Sequence, residues 1–392
     1  MWSISRCFGT RACFSPINRA EDEEDPVQLP PELVEKIIAA VPYPHVLKAR
    51  QLSREWRSKF SRVVNQVSDS WPEVFPAYYC KRRSRVEGYD VTHRCVKRLG
   101  RKKIKTGGLD ALVTCFGTLL VAVDLIPGST LPIAVLLNLL TRRGSIVFCP
   151  NTPVPLDGDC VVYLSPMLVP DGADHYELVV WFSVLGIRDD FCKVTVINVY
   201  SSRTDSWKEV GFEDELGGSQ SGAYMDGSLY CIPDVLSKVQ PVIVRFDTQS
   251  GIRSVITQVL HEDGVFGEWV HHAVVRCGSS ILAVMFEINR RNESFHVKVM
   301  RLNTESFQLV ELSRILLPYV DDMVDVNVNV FEYTVASSSK CIYILDEMTP
   351  HLVIKYDVNA NKWYNLGPVP EKFTKQRNLF AFEPGLNPFL EP

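Results

Sequence analysis

Two hydrophobic periodicities divide the chain. Between Leu29 and about Val64 the apolar residues recur at helical spacing: Leu33, Ile37 and Val41 stand four apart with Val34 and Ile38 beside them, which predicts a helix with one apolar stripe. Pro30 and Pro31 suit its first turn, where a missing amide hydrogen costs nothing, and Pro42 with Pro44 stops it. A second short segment runs through Val46, Leu47 and Leu52. A third sets Trp56, Phe60 and Val63 or Val64 on one face, with Arg54, Arg57, Lys59 and Arg62 largely opposite. Roughly 35 residues in three short helices cannot enclose so many apolar side chains, so this module is expected to need a partner.

Beyond Trp71 the period changes to the alternation of strands, and one unit recurs: a short β-rich run, a turn rich in Asp, Asn, Ser or Thr, then an apolar residue opening a second strand. It reads Tyr89-Asp90 to Val96, Tyr200-Ser201 to Trp207, Phe246-Asp247 to Ile252, Leu302-Asn303 to Phe307 and Tyr356-Asp357 to Trp363, with a weaker copy from Leu137 to Ile146. Another hairpin precedes each unit, as in Ala223–Tyr230, Ala273–Leu282 and Tyr333–Tyr343. Two hairpins make a four-stranded blade, and six such blades over residues 61–392 average about 55 residues, near the ~50 of kelch-type propellers. A last apolar run, Asn378 to Glu383, has no partner of its own. It is expected to pair with the first blade and close the ring, removing two sheet edges.

Turns inside the hairpins are short and links between hairpins long, and in a propeller alternate connections lie at the same end. All long links therefore share one end, where recognition is usually built. The charged residues of those links are the substrate-face candidates: Arg188, Asp190, Arg290, Arg291, Asp214 and Asp322. The arginines suit acidic or phosphorylated groups on a partner.

The helical segment resembles the F-box. The residues that carry the resemblance are Leu29-Pro30-Pro31-Glu32-Leu33, Ile37-Ile38, Val41-Pro42, Val46-Leu47, Arg50, Leu52 and Trp56-Arg57; Val41, Leu52 and Ser53 depart from the family pattern by swaps of similar size. The resemblance implies docking on a Skp-type adaptor, and through it on a cullin and a RING protein, with Leu29, Pro30, Leu33, Ile37, Leu47, Leu52 and Trp56 as adaptor contacts. The Tyr-Asp…Trp units are similar to kelch repeats, although the double glycine of that family is poorly kept. Together these give an α+β multidomain chain: a disordered tail over 1–28, an all-α F-box over 29–70, and an all-β kelch-like propeller of about six four-stranded blades over 71–392.

Composition narrows the chemistry. With 42 Lys and Arg against 46 Asp and Glu, the formal charge of −4 offers no basic field for nucleic acid. The most membrane-like stretch, 111–141, is interrupted by Asp124, Pro127, Gly128 and Pro132 and reads as buried strands. Eleven cysteines without a C-x-x-C pair suit reduced, mostly buried thiols, hence a cytoplasmic or nuclear setting. No H-E-x-x-H, G-x-S-x-G, G-x-G-x-x-G or Walker lysine loop is present. Neighbouring His271 and His272 should point to opposite faces of a strand and so share no metal, and Cys192 and Cys231 read as core rather than as nucleophiles. The expectation is a non-catalytic substrate receptor of a ubiquitin ligase with no cofactor, membrane or nucleic acid. A non-degradative F-box interaction protein and a metal-dependent propeller enzyme are the alternatives.

Overall fold

The computed structural model describes residues 29–40 and 56, the strands named below, and positions 94, 149, 202–205, 226–227, 232, 241, 248–252, 278–279, 303–308, 338–340, 358–361, 369–370, 373 and 379 between them. The chain divides into two compact units, residues 1–63 and 64–392. In the first, helix α1 (Pro31–Ala40) is described. It starts where proline predicts: the Pro30 carbonyl accepts from the amides of Leu33 (2.9 Å) and Val34 (3.1 Å). The stripe expected from its sequence is divided, because Val34 and Ile38 are buried whereas Leu33 is exposed. The tail over 1–28 lies outside the described residues.

The second unit contains strands β1 (Val74–Cys80), β2 (Arg85–Asp90), β3 (Cys95–Arg98), β4 (Leu112–Phe116), β5 (Leu119–Leu125), β6 (Pro132–Asn138) and β7 (Gly144–Phe148). Then come β8 (Cys160–Asp171), β9 (His175–Gly186), β10 (Lys193–Ser201), β11 (Ser206–Glu213), β12 (Gly222–Met225), β13 (Ser228–Cys231), β14 (Val242–Asp247) and β15 (Arg253–Gln258). The rest are β16 (Gly267–Cys277), β17 (Ser280–Asn289), β18 (Ser294–Leu302), β19 (Leu309–Leu317), β20 (Tyr333–Ser337), β21 (Cys341–Asp346), β22 (Leu352–Asp357), β23 (Lys362–Pro368) and β24 (Phe380–Phe382). They form six four-stranded antiparallel sheets. Five are blades of four consecutive strands, and the other is composite, ordered β24-β1-β2-β3. The inner strands touch in the cyclic order β24, β4, β8, β12, β16, β20 and back to β24, so the arrangement is propeller-like and closed.

Closure uses the expected carboxy-terminal run, since Val74 pairs with Phe382 and Ala77 with Phe380. Nearby, the fully buried Phe373 meets Tyr78 edge-on at 5.1 Å and Tyr89 at 5.7 Å. Phe75 stacks on Tyr343 of the preceding blade at 4.8 Å. Apolar layers fill the clefts between successive sheets. On β17 the residues Leu282, Val284 and Phe286 face the blade that follows, whereas Ile281, Ala283 and Met285 face the blade before. Burial on both faces explains why such a strand reads as a continuous apolar run rather than an alternation.

The recurring outer hairpin keeps one register. Tyr89 pairs with Val96, Tyr200 with Trp207, Phe246 with Arg253, Leu302 with Leu309 and Tyr356 with Trp363, always seven residues on. Five residues after each first member stands a residue of positive φ: Arg94, Asp205, Gly251, Phe307 and Asn361. Two sequence assignments are thereby corrected. Ile252 is 64% exposed and Phe307 lies in the turn at φ 56°, so Arg253 and Leu309 hold the position that tryptophan fills elsewhere. In the weaker copy Leu137 meets Gly144, not Ile146. The sequence marks the first bulky residue after the turn, whereas the turn itself fixes the spacing. Its chemistry is local. Asp247 Oδ1 accepts from the amides of Gln249 (3.0 Å) and Ser250 (2.8 Å), and Asn303 Oδ1 from those of Glu305 (2.9 Å) and Ser306 (3.0 Å). Gly251 is required twice over: its φ is +71°, and a Cβ would stand 3.0 Å from the Val210 carbonyl of the preceding blade.

Candidate functional site: a helix surface and the loop-bearing end

On α1 the described candidates separate by burial. Val34 and Ile38, four apart, are 1% and 0% exposed and belong to the interior, while Leu29 and Leu33 remain 38% and 43% exposed beside an exposed Pro30. Ile37 and Trp56 are half-buried. Leu47 and Leu52 lie outside the described residues. Two large aliphatic side chains are thus kept in water beside buried neighbours on the same helix. Acidic Glu32 in the first turn suits the positive end of the helix dipole.

Of the substrate-face candidates, Arg188 and Asp190 fall between β9 and β10, Asp214 between β11 and β12, Arg290 and Arg291 between β17 and β18, and Asp322 between β19 and β20. All six lie outside the described residues. The strands flanking these positions are the second and third of a blade or the last of one blade and the first of the next, and antiparallel pairing puts those flanking strand ends at one end of the sheets.

Near that end, aromatic side chains of the β16–β19 and β20–β23 blades pack together. Phe286 stacks on Tyr333 at 4.5 Å, Phe295 lies 5.6 Å from Tyr333, and His271 meets Phe286 edge-on at 5.2 Å. Burial is the main cause that pushes His271 down to about 4, helped by His272 and opposed by a hydrogen bond with the Tyr333 backbone. Burial likewise brings His272 to about 4, against a hydrogen bond with the backbone of Ile232. The two rings, 6.4 Å apart, therefore tie β16 to different neighbouring blades, as expected of adjacent strand residues. Among the described residues no three His, Cys, Asp or Glu side chains group as a metal site. Cys231 is buried, and burial raises the Cys149 thiol to about 12, so it stays protonated. Cys192 lies outside the described residues. No described helix is long and apolar enough to cross a membrane.

Blade-to-blade polar links at the tight-turn end were not foreseen. Lys208 Nζ donates to the carbonyls of Thr248 (3.1 Å) and Gln249 (3.0 Å), Arg276 Nη1 to that of Tyr224 (3.3 Å), and the Ser337 hydroxyl to that of Arg276 (2.7 Å). The acceptors are backbone carbonyls 40 to 61 residues away, which no local pattern could mark.

Comparison with known proteins adds one family. An F-box domain matches residues 27–65, a segment that includes α1 and ends before the strands begin. No curated protein matches the chain. Among solved structures, similarity is found to an oligogalacturonate lyase from Vibrio parahaemolyticus, 11% identical over 72% of this chain and 70% of that one, with a TM-score of 0.40. TolB from Acinetobacter baumannii is 12% identical over 72% of this chain and 65% of its own, TM-score 0.35. Oligopeptidase B from Leishmania major is 10% identical over 70% of this chain and 35% of its own, TM-score 0.36.

Proposed function

We propose that this chain is the substrate-recognition subunit of a Skp-cullin-F-box ubiquitin ligase. The F-box segment would hold the Skp-type adaptor through Leu29, Pro30, Leu33, Ile37, Leu47, Leu52 and Trp56. The kelch-like blades would hold a protein substrate at the loop-bearing end, through Arg188, Asp190, Asp214, Arg290, Arg291 and Asp322. The observation that carries the reading is the F-box match at 27–65, on whose helix Leu29 and Leu33 stay exposed although Val34 and Ile38 are buried. Tethering is then the whole contribution of the chain: it raises the effective concentration of substrate lysines at a recruited ubiquitin-conjugating enzyme and needs no catalytic group or cofactor of its own.

The test is co-purification with a Skp-type adaptor, comparing the intact chain with the combined variant Leu29→Ala, Pro30→Ala, Leu33→Ala. These side chains are exposed, so the fold should survive, which circular dichroism checks. Lost apolar anchors at an interface cost on the order of 2 kcal/mol each, enough together to abolish micromolar binding. Adaptor capture by the intact chain and none by the folded variant supports the reading. No capture by the intact chain removes it.

A further inference from the structure

Among the described strands, the outermost of each blade is hydrogen-bonded on one side alone, and β19 is the longest of them, nine residues without glycine or proline. It also keeps Val310 and Leu316 in water, at 55% and 60% exposure. A bulge interrupts its pairing with β18, where Val299 meets Ser313 and Met300 meets Glu311, leaving Leu312 as the extra residue. The bulge brings residues three apart to the same face, and Arg314 accordingly binds Glu311 bidentately, Nε to Oε1 and Nη2 to Oε2, both at 2.9 Å. Alternation then assigns Leu309, Glu311, Arg314 and Leu316 to one face and Val310 with Ile315 to the other.

That distribution is self-complementary. We propose that β19 is a docking edge for a second copy of this chain, the two strands running antiparallel about a two-fold axis between Leu312 and Ser313. In this register Leu309 lies opposite the partner's Leu316, Val310 opposite the partner's Ile315, and Glu311 opposite the partner's Arg314. Each pair occurs twice, and the members of each pair come from the same face, as an antiparallel ladder requires. Both exposed aliphatic side chains gain an apolar neighbour. The ion pair within each strand becomes a four-charge cluster across the axis, and the two bulges oppose one another so that neither shifts the register. Slippage by one residue would set Glu311 against Ser313 or Ile315 and move the aliphatic side chains to mismatched faces. An eight-residue edge is smaller than a permanent interface, so the dimer is a concentration-dependent one with a dissociation constant of about micromolar or weaker. Each dimer would carry two helical modules and two loop-bearing ends.

The experiment is sedimentation velocity on the purified full chain over a range of concentrations, repeated for Arg314→Glu and for the exchange Glu311→Arg with Arg314→Glu. The native chain is expected to shift from monomer to dimer with concentration. Arg314→Glu places like charges opposite one another at two symmetric positions and should weaken the dimer about ten- to a hundredfold. The exchange restores opposite charges both within and between strands and should recover the native dimer, which a merely damaged fold would not do. A native chain that stays monomeric throughout overturns the proposal, as does a dimer insensitive to Arg314→Glu or one the exchange fails to rescue.

Discussion

The indole Nε1 of Trp363 donates a hydrogen bond to the Ser313 hydroxyl at 2.9 Å, tying the outer strands of two neighbouring blades together. Trp207 occupies the same position three blades earlier in the ring order, yet its buried Nε1 has no hydrogen-bond partner among the described residues. Phenylalanine at each position keeps a six-membered aromatic ring and removes the rest of the indole with its N–H, a packing loss common to both. Trp363→Phe should therefore cost about 1 kcal/mol more than Trp207→Phe, which removes a stranded donor rather than a hydrogen bond. Urea unfolding of the two variants, measured side by side, checks the order; equal costs would mean the hydrogen bond contributes nothing.

Ring closure concentrates on Phe373, which is fully buried between the composite sheet and the final blade and touches Tyr78 and Tyr89. Phe373→Ala should destabilise the propeller by about 3 to 5 kcal/mol, the usual cost of an emptied aromatic site. Removal of β24 should do at least as much, because it uncovers the edge of β1 as well as apolar surface. Chemical denaturation of both variants, with light scattering for association through the uncovered edge, measures this.

Much of this architecture is legible in the sequence because its signals are local. The Tyr-Asp…Trp hairpins and their turn residues announce themselves, and Asn378 to Glu383 could be assigned to closure because no neighbouring strand remained for it. The positions filled by Arg253 and Leu309 were missed, since a turn of constant length sets that register whatever the bulk of Ile252 or Phe307. On α1 the apolar stripe is visible in the sequence, but which side of it faces inward depends on what packs against it, so Leu33 and Val34 are distinguished only by burial. The Lys208 and Arg276 links escaped for another reason: their acceptors are backbone carbonyls, which carry no sequence signature.

Turn chemistry makes a prediction in acid. Asp247 is held below the usual carboxylate range chiefly by the amide of Ser250, then by its hydroxyl, the Gln249 amide and the charge of Arg245. Because the folded value is depressed, the stabilisation is fully present above about pH 4, the unfolded value, and is lost as pH falls through the folded one. Asp247→Asn retains an acceptor but cannot titrate. The urea midpoint of the native chain should exceed that of the variant at pH 5, and the gap should narrow below pH 4; a constant gap would show that the carboxylate charge is not involved.

His271 and His272 act in a different pH window. Burial is the first cause that lowers both to about 4 from an ordinary value of 6.5, so between those limits the unfolded chain binds protons that the folded chain refuses. Stability therefore falls as pH drops from 6.5 toward 4, by up to about 3 kcal/mol for each histidine. His271→Phe preserves an aromatic ring against Phe286, packed at 5.2 Å, and removes one titrating group along with the hydrogen bond to the Tyr333 backbone. That variant should be less stable than the native chain at pH 7.5, where the hydrogen bond counts and no proton is taken up. The gap should close or reverse by pH 5, where the native chain bears the cost of keeping its imidazole neutral. Denaturant midpoints at the two pH values decide it: parallel shifts for both proteins would mean that His271 takes up its proton equally in the folded and unfolded chain, and that the seam between β16 and β20 accommodates the charge.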